Sequence, residues 1–227
     1  MSLQSIINKC NAIQIDRRKV IGIQYTRNEI PRISITPTKN PWRFTITMPN
    51  SYRYSDARSV LESLDRLDRA GNETVTFSNR PEMNWIFRYQ GVMTSGQIGA
   101  ITVSSFTGDQ LVLSGLPAIS AGSILFEPND LIQIGTNPYP FTVVNQVLRG
   151  SLSTVTITTN RPNIITTSVT GLGITVGPTC QFRVFCPNMP TYKLIPGGQF
   201  YSGSTLINNA YIEFSDDFVL YEYVATA

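Results

Sequence analysis

The sequence predicts a mainly β protein with one packed helix, and three observations carry that prediction. Runs of β-branched and aromatic residues recur along the 227 residues, among them Trp42-Arg43-Phe44-Thr45-Ile46-Thr47, Thr154 to Thr159 and Gln181-Phe182-Arg183-Val184-Phe185. One segment, about residues 55–70, places Ala57, Val60, Leu61, Leu64 and Leu67 on one stripe at helical spacing. The chain also contains no histidine and is only 15% charged, with 41% hydrophobic residues. That charge content is well below the usual quarter of a soluble domain and suits a surface covered by partners, a hydroxyl-rich monomer being the alternative.

From the N-terminus, Ile13 to Tyr25 reads as a strand: Ile13, Ile15 and, after a polar interruption, Ile21, Ile23 and Tyr25 alternate with polar residues or glycine. Arg27 to Pro41 holds Pro31, Pro37 and Pro41, which cannot sit in the middle of a sheet, so a long loop is expected there. Such a loop can reach a neighbouring subunit, with Arg27, Arg32 and Lys39 as its candidate contacts, or be an ordinary surface loop. Arg17 and Arg18, in a basic run with Lys19 and without an aromatic ladder, read as a solvated or subunit-facing strand edge and not as a nucleic-acid site. Trp42 to Met48 is the second strand. In the helix that follows, Ser55 can cap the start, Asp56 favours the N-terminal dipole, Glu62 and Arg66 form an i,i+4 pair, and Gly71 can end it in a left-handed turn. Thr74 to Phe77 and Trp85 to Tyr89 read as short strands.

From Thr94 onward glycine and threonine increase and charge nearly vanishes. Short strands are expected at Ala100–Phe106, Gln110–Leu113, Leu131–Ile134, Phe141–Val147, Ser153–Thr159 and Gly173–Val176, separated by turns such as Thr107-Gly108-Asp109 and Pro128-Asn129-Asp130. That spacing suggests a small β-barrel or curled sheet inserted into the first domain. The chain then returns with strands at Phe182–Phe185, Tyr192–Ile195, Ala210–Phe214 and Phe218–Tyr223. The expected organisation is one β domain from 1–93 plus 179–227, with 94–178 inserted.

Charge is distributed unevenly. Residues 1–95 hold 14 Lys and Arg against 8 Asp and Glu, residues 96–178 hold 2 against 3, and residues 179–227 hold 2 against 4. Opposed charge at the two ends suits head-to-tail packing between copies, or the closing of one domain on itself. Cys10, Cys180 and Cys186 are expected as reduced, buried thiols, since Cys180 and Cys186 on one strand would stand roughly 20 Å apart. No run is long and apolar enough for a membrane span, and the first residues lack a signal-peptide pattern.

Without histidine, Ser-His-Asp and Cys-His machinery and imidazole metal sites are impossible within the chain. No catalytic, cofactor-binding or metal-ligating residues are assigned, and no Walker or dinucleotide motif occurs. Asp216 and Asp217 are adjacent, which suits a turn better than an acid–base pair. Trp42, Trp85, Tyr89, Tyr139 and Phe141 are candidates for a sugar-stacking platform, with core packing the alternative. Among them Tyr139 and Phe141 are the best local candidates, because Pro138 and Pro140 hold them in an extended or turned loop.

Several of these segments are similar to virion structural proteins of tailed bacteriophages, notably those infecting cyanobacteria. The residues concerned are Pro41-Trp42-Arg43-Phe44-Thr45-Ile46-Thr47, Tyr54-Ser55-Asp56-Ala57-Arg58 and Leu64-Asp65-Arg66-Leu67-Asp68-Arg69. In the middle region Asn129 to Gly135, Tyr139 to Val143 and Thr156 to Pro162 resemble an insertion of tail and baseplate proteins, as does the return through Phe185 to Tyr192. The resemblance implies a tail-tube-like β-sandwich or barrel with one helix, forming rings whose sheets join across subunits at the tube–baseplate junction. It implies partners that are copies of the chain, as a trimer or hexamer, and other tail or baseplate proteins. The implied location is the virion, after assembly in the host cytoplasm. A receptor- or glycan-binding tail module is the alternative.

Overall fold

The computed structural model describes residues 3–16, 21–25, 31–35, 41–49, 52–55, 57–58, 61–62, 71–79, 81–197, 199–202, 204–208 and 210–224. The protein is mainly β, in several open sheets with a few short helices, and among the described residues no sheet closes into a barrel. The chain divides into two compact units. One takes the segment up to Asp16 with Trp42–Val75 and Arg183–Tyr223; the other takes Thr76–Phe182 together with the hairpin Ile21–Tyr25/Pro31–Ile35.

In the first unit a five-stranded sheet runs in the order Ala12–Asp16, Arg43–Thr47, Phe218–Glu222, Phe182–Phe185, Glu73–Val75. The first three strands pair antiparallel, Ile46 standing opposite both Ile13 and Phe218. Alternation sends Phe44, Ile46, Phe218, Leu220, Val184 and Val75 inward, all fully buried. Each contributes about 1.5–3 kcal/mol by leaving water. The helix Leu3–Lys9 buries Leu3, Ile6 and Ile7, and its Leu3 N–H donates to Glu73 Oε2 at 2.9 Å. A carboxylate thus satisfies one of the donors that a helix start leaves open.

The second sheet of this unit orders Tyr192–Ile195, Tyr211–Phe214 and Tyr52–Arg53. The expected helix packs here in its described part: Tyr54, Ser55, Ala57, Arg58, Leu61 and Glu62 are helical, and Ala57 and Leu61 pack with Tyr52, Ile212 and Phe214. Helical residues begin at Tyr54, so Ser55 lies inside the helix and not at its cap. Asp56, Val60, Leu64, Arg66 and Leu67 lie outside the described residues. The i,i+4 ion pair that is described joins Arg58 to Glu62 at 2.9 Å, fully in solvent.

In the second unit a sheet with Gln110–Ser114 at its centre, between Thr102–Thr107 and Val155–Thr158, faces one with Leu131–Ile134 between Phe141–Thr142 and Ile174–Val176. Two isolated bridges, Thr102 with Gly173 and Val143 with Thr159, join their margins. The sheets therefore share one core, built from Ile101, Leu111, Leu113, Leu125, Phe126, Ile132, Ile134 and Ile157, without the continuous ladder that a barrel requires. Gly108, at φ +59, opens the two-residue loop between the paired Thr107 and Gln110. Asn129 holds φ 74 in its turn, a conformation that asparagine tolerates better than most residues.

Four expectations are corrected. The strand read from Ile13 to Tyr25 is two strands, Ala12–Asp16 and Ile21–Tyr25. The expected loop Arg27–Pro41 contains the strand Pro31–Ile35, which pairs antiparallel with Ile21–Tyr25; a proline is tolerated as a strand's first residue. Trp85–Tyr89 is not a strand, because Pro81–Ile86 is helical. Proline at the first helical position and Glu82 in the first turn favour that helix, whereas the aromatic and β-branched run that follows mimics a strand. The segment Phe141–Val147 splits into Phe141–Thr142 and a second short strand, Val147–Leu148, which pairs with Ile124–Phe126.

Candidate functional site

The most distinctive surface of the first unit is the strand Tyr192–Ile195. It pairs antiparallel with Tyr211–Phe214, from Tyr192 opposite Phe214 to Ile195 opposite Tyr211. It stands at the end of its sheet, and among the described residues no strand pairs with its other side. All four of its residues are exposed, Tyr192 by 47%, Leu194 by 53% and Ile195 by 44%. The strand is nevertheless held firmly. Thr191 Oγ1 lies 3.0 Å from Ser215 Oγ, the Ser215 N–H donates to Thr191 O at 2.9 Å, and Tyr192 meets Phe214 edge-on at 6.4 Å. Beyond it the pairing resumes one residue out of step in the hairpin Gln199–Ser202/Thr205–Asn208. An ordered, apolar strand edge is a template for another strand.

Of the residues proposed for contacts between subunits, Arg32 stands in the strand Pro31–Ile35 opposite Gln24. Arg17, Arg18, Arg27 and Lys39 lie outside the described residues. The aromatic candidates separate sharply. Phe141 is fully buried, edge-on to Phe106 at 5.0 Å, so it is a core residue and faces no ligand. Arg161, also buried, sits 5.2 Å from the Phe141 ring and donates from Nη2 to Pro140 O at 2.9 Å, which holds this segment inward. Tyr139 is half-buried against the same core. Trp42 is buried and stacked on Phe44 at 6.1 Å.

Trp85 is the exception, 76% exposed at the end of the helix Pro81–Ile86. It lines a groove of about 400 Å³ with Ile86, Arg88, Tyr89, Gln90 and Gly91. Hydrogen bonds hold part of this lining in place. The Tyr89 hydroxyl donates to Leu125 O at 2.5 Å, and its burial pushes the phenol up to about 12. The Gln90 N–H donates to Asp130 Oδ1 at 3.0 Å, and the Glu127 N–H donates to Asp130 Oδ2 at 2.8 Å. Burial raises the Asp130 carboxyl above its ordinary value against the pull of those two donors.

Among the described residues the remaining reactive groups form no constellation. Asp216 and Asp217 occupy an exposed bend, where Ser215 Oγ donates to Asp216 Oδ2 at 3.1 Å. Cys10, Cys180 and Cys186 are free and buried, and burial pushes the Cys180 thiol up to about 12. Among the described residues no group of three or more Cys, Asp or Glu is placed to hold a metal ion, and no helix is long and apolar enough to cross a membrane. Neither a protein-family model nor a curated protein sequence matches the chain.

Proposed function

We propose that this chain is a structural component of a bacteriophage tail, at the junction of tail tube and baseplate, and that it assembles as a homomeric ring. The observation that carries the reading is the exposed apolar edge Tyr192–Ile195. Among the described residues no strand takes up its outward backbone donors and acceptors beside Leu194 and Ile195; a strand from a neighbouring copy satisfies the former and covers the latter. The low charge of the chain and the tail-protein resemblance of its segments support the same reading. Its role is then mechanical and not catalytic: connecting successive rings and keeping a continuous lumen, with other tail and baseplate proteins as neighbours in the virion. Arg17, Arg18, Arg27, Arg32 and Lys39 are the cations proposed to meet adjacent subunits.

Light scattering over a range of concentrations tests the reading. A trimer or hexamer is expected for the unaltered protein, and Leu194→Lys, which places a second cation on the edge, should shift it to monomer with its thermal transition retained. A ring whose mass is unaffected by that substitution would remove the edge from the proposal.

A further inference from the structure

We propose that the groove beside Trp85 binds an acidic saccharide, recognised by stacking on the indole and by a carboxylate–guanidinium pair with Arg88. This inference goes beyond the assembly reading and does not depend on it.

The two tryptophans of the chain have opposite environments. Trp42 is 1% exposed and Trp85 is 76% exposed. An indole left in solvent beside Ile86, itself 54% exposed, is a large apolar surface, and such surfaces mark places where something docks. The chemistry of the lining selects the occupant. The flat face of an indole suits the C–H face of a pyranose ring, and the planar guanidinium of Arg88 suits its carboxylate, while the Gln90 amide is already held by Pro128 O at 3.3 Å. Among the described residues that line the groove Arg88 is the one that carries a charge, and complementarity to it asks for an anion. The volume, about 400 Å³, lies within the range of small-ligand clefts.

The groove is also built in advance. Tyr89 is tied to Leu125 O and receives the Met93 N–H at 3.4 Å, while Gln90 is tied to Asp130. A Cβ added at Gly91 would overlap both the Tyr89 hydroxyl and the Leu125 carbonyl, so the backbone approaches there as only glycine permits. A lining already held by hydrogen bonds beside an exposed aromatic lowers the ordering cost of binding.

Calorimetric titration of the full chain tests this, with tetragalacturonate as the probe, maltotetraose as its neutral counterpart and tetraglutamate as an acidic peptide. The expected result is saturable binding of tetragalacturonate that weakens with added salt. Trp85→Ala and Arg88→Gln should each weaken it at least tenfold while the thermal transition stays in place, since both side chains are exposed. Absence of binding, equal binding of maltotetraose or tetraglutamate, or binding unchanged in Trp85→Ala would each overturn the proposal.

Discussion

Leu131–Ile134 and Tyr192–Ile195 are both four-residue strands with three large apolar residues and one long polar one. Every residue of the first is buried and every residue of the second is exposed. The difference lies in their neighbours. Leu131–Ile134 has strands on both sides, and even its polar member is accommodated: Gln133 Oε1 accepts the Gln181 N–H at 2.6 Å, and Nε2 reaches Gly135 O at 3.4 Å. Among the described residues Tyr192–Ile195 pairs with one strand, and its four side chains stay exposed. Composition makes a strand; sheet order decides whether that strand is core or exposed edge.

Substitutions can sharpen this contrast. Ile134→Ala should cost about 2–5 kcal/mol in chemical denaturation, since it opens a cavity in a fully packed core. A loss well under 1 kcal/mol would mean that the site collapses around the missing atoms. Next in size, Asp130→Ala, just before the same strand, should cost about 1–3 kcal/mol, because it removes the acceptor of the half-buried N–H groups of Gln90 and Glu127. Its pH dependence has a defined sign. The folded state raises this carboxyl above 3.8, so it holds its proton to higher pH than the unfolded chain does. The stability advantage of the unaltered protein over the variant should therefore be greatest at acid pH and shrink as pH rises past 3.8, levelling off above the folded value. An advantage that grows over that interval would reverse the assigned cause. The smallest effect is expected for Leu194→Ala, within about 0.5 kcal/mol for the isolated chain. A larger loss there would show that the edge is covered within a single copy.

Much of the fold was legible because local alternation is a local property. Phe44 and Ile46, Val184, and Phe218 and Leu220 announce inward faces in the sequence, and the structure buries all of them. The short helices were harder to read. Leu3–Lys9 and Pro81–Ile86 span fewer residues than a helical period needs to declare itself. Thr94-Ser95-Gly96-Gln97 did carry a usable signal: Thr94 and Gln97 form a reciprocal capping box at the start of Ser95–Gly99. The exposed aromatic surface was legible only as a list of aromatics. Trp42, Trp85 and Phe141 are equivalent as residue types, and one of the three reaches solvent.

By itself the sequence determined the fold class, most of the strand positions, the free thiols and the impossibility of imidazole chemistry, since each follows from residue identity or from a period of two along the chain. Only the tertiary structure decided that Tyr192–Ile195 is an edge, that Phe141 is core and that Trp85 is exposed. Burial is set by which distant segments arrive on each side of a strand or ring, and spacing along the chain does not encode that.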